Sequence, residues 1–159
     1  MKKLIVFALL LVACHRSSPN TKPDPNVLGS PSARAAVSAY LDAVIAQDLQ
    51  AMSAVFGTQE GSVRKTKPDD VIMKSDVVIA TAMKCVQKDY SILADGAAAQ
   101  NKRAVTVQLK YIRPSRSADT KSTTALTRLA NFVAVSDQTG RWFVESFNLS
   151  DLMDMCLRG

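Results

Sequence analysis

The sequence predicts an α+β fold, with helices in the N-terminal half and an antiparallel meander of four or so strands after them. Two observations carry the prediction. Up to Val86 the apolar residues recur every three or four positions, the repeat that lines one face of a helix; from Asp89 the repeat becomes two, that of a strand with one buried face. Turn signals punctuate the second half at Asp95-Gly96 and at Asp137-Gln138-Thr139-Gly140.

Ser30-Pro31 is a helix entry, because a serine oxygen accepts from the first free amides and proline is preset for the first helical position. Val37, Tyr40, Leu41, Val44 and Ile45 then share one face. Asp48 caps a second, shorter helix carrying Leu49, Met52, Val55 and Phe56, which Gly57 ends in the left-handed conformation that glycine tolerates. Residues 58 to 67 are polar, and Ser62-Val63-Arg64 is the part that suits a short strand. Thr66 and Pro68-Asp69-Asp70 open a third helix, acidic at its start as the helix dipole prefers. Val71, Ile72, Val78, Ile79, Ala82, Met83 and Val86 keep one face of it, with Cys85 at the edge.

Tyr90 to Leu93 is a candidate strand ending at Asp95-Gly96. Arg103 to Arg113 alternates cleanly, Val105, Val107, Leu109 and Tyr111 on one face and Thr106, Gln108 and Lys110 on the other. After a polar loop at residues 114 to 119, Ser122 to Val135 and Arg141 to Leu149 are two more strands, and Asp151 to Gly159 is a short helical tail. The chain has no internal repeat.

The N-terminus is a segment of another kind. Met1-Lys2-Lys3, an apolar run from Leu4 to Val12, then Ala13-Cys14 and an abrupt change to His15-Arg16-Ser17-Ser18-Pro19 have the charged start, greasy centre and small residues of a secretory signal peptide. A membrane-spanning helix needs roughly twenty apolar residues, about twice this run. Leu11-Val12-Ala13-Cys14 resembles the lipobox of bacterial lipoprotein precursors, which implies cleavage before Cys14 and lipidation of its thiol. Residues 1–13 are then the signal, residues 14–29, polar and broken by Pro19, Pro23 and Pro25, a flexible tether, and residues 30–159 a single domain. The location implied is the bacterial cell envelope, on the periplasmic face. His15 after Cys14, in place of an aspartate, is compatible with outer-membrane delivery.

The net charge of +6 (20 basic minus 14 acidic) suggests a polyanionic partner only until it is divided. Four of the basic residues lie before position 31; from there on the count is 16 basic against 13 acidic, a net of +3, which suits solubility beside an anionic membrane surface. No nucleic-acid partner is expected. With Cys14 lipidated, Cys85 and Cys156 remain, either as a disulfide in an oxidising compartment or as two buried thiols.

Helices first, a meander last, and the pattern Tyr40-Leu41-Asp42-Ala43, Asp48-Leu49, Met52, Val55-Phe56 together resemble the nuclear-transport-factor and ketosteroid-isomerase superfamily, over about residues 31 to 149. The resemblance implies a cone-shaped roll, a curved sheet wrapped round the helices. In the isomerases a first-helix tyrosine donates to the developing oxyanion, and Tyr40 falls on that part of the pattern. Their base is an aspartate soon after the second helix; residues 57–64 here hold none, Arg64 stands near the place, and Glu60 is the nearest substitute. Proton abstraction beside a carbonyl needs both base and donor, so Tyr40 has a bland alternative as a core tyrosine with its hydroxyl satisfied at the rim.

Other chemistries lose their usual parts. His15 is the one histidine and follows the lipidated cysteine directly, so no imidazole triad or histidine-rich zinc site can be built. The glycines are isolated, Asp69-Asp70 suits a helix start better than a metal, and no cofactor or metal is expected. Lys102, Arg103, Lys110, Arg113, Arg116 and Lys121 form a basic cluster that either greets phosphate groups or an acidic partner, or guards a sheet edge. Trp142 and Phe143, adjacent on a strand, face opposite ways, one into the core and one toward a pocket or partner.

The reading that follows is a lipid-anchored, non-catalytic module for a small apolar ligand, in a pocket lined by Tyr40, Phe132, Trp142 and Phe143, or for an envelope protein. One alternative is an isomerase or dehydratase pairing Tyr40 with a carboxylate such as Glu60, Asp76 or Glu145. Another is a structural subunit that forms a homodimer through its sheet.

Overall fold

The structure, a computed structural model, describes residues 27–112 and 125–157. The signal segment, Cys14, most of the tether, and Arg113, Arg116 and Lys121 of the basic cluster lie outside the described residues. The architecture is α+β: helices α1 (Ala33–Ile45), α2 (Leu49–Val55), α3 (Val63–Thr66) and α4 (Asp69–Ala82), a four-stranded antiparallel meander β3 (Ser91–Ala99), β4 (Lys102–Ile112), β5 (Ala125–Ser136) and β6 (Trp142–Phe147), and a closing helix α5 (Leu149–Leu157). A two-stranded hairpin, β1 (Gly57–Thr58) with β2 (Gly61–Ser62), sits between α2 and α3.

Helix α1 starts at Ser32, whose Oγ accepts from the Ala35 amide at 3.2 Å, two residues later than Ser30-Pro31 suggested. Ser30 is committed elsewhere: its amide donates to the Trp142 carbonyl and its carbonyl accepts from the Trp142 amide, both at 2.8 Å. Val37, Tyr40, Leu41 and Val44 are fully buried, as the spacing predicts. Asp48 caps α2 as expected, accepting from Ala51 at 3.0 Å. Between the two helices Gln47 takes a positive φ of 57° and its Nε2 donates to the Val44 and Ala80 carbonyls, tying the joint to the end of α4.

Gly57 does not end α2 in the left-handed conformation. Phe56 leaves the helix extended (φ −96°, ψ 134°) and bridges Val144 of β6, so the chain passes straight into β1. Gly57 is needed for room instead: a Cβ there would lie 2.2 Å from the Gly61 carbonyl oxygen. Gly57→Ala is expected to cost about 3 kcal/mol, the upper range of overpacking penalties, because what the new Cβ meets is backbone that cannot swing aside; urea denaturation measures it. The expected strand at Ser62-Val63-Arg64 is only half right, because the Ser62 hydroxyl donates to the Ser53 carbonyl at 2.6 Å and accepts from the Arg64 amide, which starts the helical turn α3 at Val63.

Helix α4 presents a different face from the one its valines suggest. Ile72, Asp76, Ala80 and Met83 are buried, whereas Val71, Met73, Val77 and Val78 are about half exposed. The spacing of four, four and three keeps the buried set in register, and the apolar run from Val77 to Ala80 conceals it.

Inward-facing Val105, Val107, Leu109 and Tyr111 of β4 are buried against the helices, with Phe132 and Ala134 of β5 and Val144 of β6. Strand β3 runs on through Asp95-Gly96 and turns at Asn101 (φ 57°), longer than the Asp-Gly pair implied, since Gly96 opposes Ala104 within the ladder. Register shifts in β3–β4 and in β5–β6 mark bulges, which bend strands and let a sheet curve. At the far end β6 stops early because the Asn148 side chain accepts from the Asp151 amide and starts α5, a nine-residue helix that buries Leu152, Met155 and Cys156.

The Cys85–Cys156 disulfide fixes α5 (Cα–Cα 5.4 Å). Its partner end is itself held: the Cys85 carbonyl accepts from Ile112 at 3.1 Å, and Val86 bridges Tyr111. Of the basic cluster, Lys102 pairs with Glu145, Arg103 with Asp95 and Lys110 with Asp89, so these three cations are neutralised within the sheet region.

Candidate functional site

The interior that a cone-shaped roll leaves for a ligand is filled with aromatic rings. Tyr40 of α1 lies 5.7 Å from Phe56 and 5.6 Å from Phe147, and Phe147 lies 5.4 Å from Phe132, centroid to centroid. Tyr40 and Phe132 are fully buried and Phe143 very nearly so; Trp142 is half-buried beside Ser30. Leu152 and Met155 of α5 add to the filling.

The sequence-derived candidates are therefore scattered. Phe143 packs beneath Gly29, where a Cβ would meet its ring at 2.6 Å, and it also lines a surface cleft of about 470 Å³ between the β1–β2 hairpin and the β5–β6 turn. Glu60 lies on the rim of that cleft with Lys65, Asp137 and Arg141. Glu145 is occupied by Lys102 at 2.6 Å. Neither glutamate joins Tyr40.

Asp76 does. It is 3% exposed, and among the described residues neither its Oδ2 nor the Tyr40 hydroxyl has a hydrogen-bond partner. Burial pushes the Tyr40 phenol well above its ordinary range, and the Asp76 charge pushes it further. Burial also raises the Asp76 carboxyl to about 6. An acid and a phenol thus sit within electrostatic reach of one another, each without a partner among the described residues, an uncommon condition because unmet buried polar groups cost about 1–3 kcal/mol each. Tyr90 shows the ordinary solution: its hydroxyl lies 2.7 Å from Ser38 Oγ and 3.0 Å from Asp42 Oδ1.

A cleft of about 410 Å³ between α2 and α4 is lined by Leu49, Ser53, Arg64, Ile72, Met73 and Asp76, but the unpartnered Asp76 Oδ2 is buried and does not open into it. A signal for this site exists in the sequence: Asp76 stands four residues after Ile72 and four before Ala80, inside the buried stripe, where an unpartnered carboxylate is out of place.

Tyr40→Phe removes a hydroxyl that bonds to nothing among the described residues. The variant is expected to keep stability within about 1 kcal/mol of the parent or to gain slightly, in contrast to the loss a satisfied buried hydroxyl gives; thermal denaturation at pH 7 checks it.

No protein-family model matches the chain, and no curated protein matches it. Among solved structures it is similar to a putative dehydratase from the NTF2-like family of Streptomyces avermitilis, with 14% identity, a TM-score of 0.45, and coverage of 70% of this chain and 88% of that one.

Proposed function

We propose that this protein is a lipid-tethered module of the bacterial cell envelope that works by contact with a protein partner, without turnover and without a ligand inside the roll. The observation that carries this reading is the filled interior: Tyr40, Phe132, Leu109 and Met155 are each fully buried where a ligand would sit. The large apolar side chains that solvent reaches are outside, Val71, Met73, Val77 and Val78 on α4 and Leu93 and Leu129 on the sheet, surfaces of a kind that meet other proteins. The lipobox-like Leu11-Val12-Ala13-Cys14 supports the tether.

The test is native mass spectrometry of the full chain expressed in its own envelope and extracted with detergent. The expected species begins at Cys14, carries acyl chains that Cys14→Ser abolishes, and retains one protein at fixed stoichiometry. A chain that keeps its first thirteen residues, or one that retains a small apolar molecule and no protein, overturns the reading.

A second reading, an isomerase or dehydratase using Tyr40 with a carboxylate, draws on the Asp76 charge that raises the Tyr40 phenol. It requires substrate to reach a phenol that is 0% exposed between Phe56 and Phe147. Turnover of a carbonyl substrate that disappears in both Tyr40→Phe and Asp76→Asn would establish it; turnover unchanged in either removes it.

A further inference from the structure

We propose that the outer face of α4, with the basic turn that leads into it, lies against an anionic lipid surface and sets which way the tethered domain faces. The proposal rests on the tether of the reading above. It assigns α4 to lipid and leaves the leucines of the sheet to the protein partner.

Three observations lead there. Half of the large apolar side chains exposed among the described residues, four of eight, stand on this one helix: Val71, Met73, Val77 and Val78. Val71 and Val78 also wall an open groove of about 430 Å³ with Ile79 and Leu149, so the apolar surface is continuous.

The second observation is charge. Over residues 64 to 84 the exposed cations are Lys65, Lys67, Lys74 and Lys84, against the exposed acids Asp69 and Asp70. Of these lysines only Lys74 makes an ion pair among the described residues, with Asp70 at 3.5 Å, and both side chains are well exposed, which makes the pair weak. The sheet is different, since its Lys102, Arg103 and Lys110 are each held by a carboxylate. Anionic headgroups therefore attract the α4 side of the domain more than the sheet side. Valine and methionine side chains enter the headgroup boundary there, while lysine stems lie along them and carry the ammonium groups to the phosphates.

The third observation is the point of attachment. Leu28, where the tether joins the domain, lines the same cleft as Lys65, and Arg64, Asp69 and Met73 line the next one along. The chain from Cys14 to Val27, thirteen residue steps (27 − 14), reaches at most about 45 Å, close to the width of a domain of this size. A domain held so near meets the bilayer at high effective concentration, and a weak surface attraction is enough to orient it.

The experiment uses the full chain, extracted from its own envelope and returned to vesicles of phosphatidylglycerol and phosphatidylcholine that carry a nitroxide-labelled lipid as quencher. With Cys14 acylated and Cys85 bonded to Cys156, a cysteine placed at an exposed position is the free thiol that takes a fluorescent label. Val78→Cys and Val77→Cys report the helix, and Leu129→Cys reports the sheet. Quenching should be several-fold stronger at both helix positions than at the sheet position, and should fall when the vesicles are phosphatidylcholine alone. Lys67→Glu/Lys74→Glu/Lys84→Glu, all at exposed positions, should bring the helix signal down to the sheet level while the chain stays on the vesicles through its lipid. Equal quenching on helix and sheet, or quenching that survives the charge reversal, overturns the proposal and leaves the tether standing. So does a helix label that pure lipid leaves unquenched but native envelope membranes shield from a soluble quencher, a result that gives α4 to a protein. A chain that stays in the supernatant overturns tether and proposal together.

Discussion

Removing the Cys85–Cys156 bond is expected to cost the protein about 4 kcal/mol, the largest single effect the structure predicts. The two cysteines are 71 residues apart, and the loss of loop-closure entropy that such a cross-link imposes on the unfolded chain has this size. For a domain of this length the midpoint of thermal unfolding should fall by roughly 15 °C. The damage has a place as well as a size. Helix α5 has nine residues, too few to persist in water on its own, and it is held by Leu152, Met155 and the bond itself. Without the bond α5 should fray first, so amide hydrogen exchange should quicken over residues 149–157 more than along β4. The test is the double variant Cys85→Ala/Cys156→Ala, compared with the oxidised parent by calorimetry and hydrogen exchange. A midpoint within a few degrees of the parent would show that the staple is dispensable.

Asp76 gives the second large effect, and its sign is opposite to that of most buried residues. The folded protein holds the Asp76 proton more tightly than the unfolded chain does, because burial raises the carboxyl from 3.8 to about 6. Stability from this group is therefore fully present below about pH 4 and is lost as pH rises through about 6. Above that, the folded state carries a desolvated charge that costs about 3 kcal/mol. Asp76→Asn removes the charge and should raise stability at pH 7 by about that amount while leaving it little changed at pH 4. Urea unfolding of parent and variant at pH 4, 5, 6 and 7 reads this directly. Parallel stability curves for the two proteins would show that the carboxyl is solvated or paired. Asp69 and Arg64 share the cleft and Tyr40 lies behind it, so Asp69→Asn serves as the control for a carboxyl at the exposed rim.

How far the sequence foretells this molecule varies from element to element for physical reasons. Strand β4 was plain, because Val105, Val107, Leu109 and Tyr111 alternate with polar residues and only one face of the sheet is covered. The helix pair was plain for the same kind of reason, with Asp48 capping where it should. Helix α4 misled, since its exposed large apolar residues, Val71, Met73, Val77 and Val78, outnumber its buried apolar ones and an aspartate occupies the buried stripe; periodicity counts hydrophobes and has no means of recognising a buried acid. Asp95-Gly96 suggested a turn, but a glycine opposite Ala104 in an edge strand needs no turn at all. The pattern located Tyr40 on the first helix and not its role. Whether a phenol faces a cavity or other rings depends on Phe56, Phe132 and Phe147, which come together only through β5, β6 and the closing helix. Asp76 was among the carboxylates that the sequence offered, and what sets it apart from Glu60 and Glu145, near-complete burial, is a property of the folded neighbourhood.

The joint at the start of the domain has a mechanical side. The Gly29 amide donates to Ala54, Ser30 exchanges two bonds with Trp142, and the Arg141 guanidinium donates to the carbonyls of Leu28 and Gly29. Tension entering at Val27 would thus be shared among α2, β6 and the Arg141 side chain before any core residue moved, and the chain's one tryptophan sits at that load-bearing seam. Its fluorescence is a built-in strain gauge for the joint between Leu28 and Ser30 and the rest of the domain.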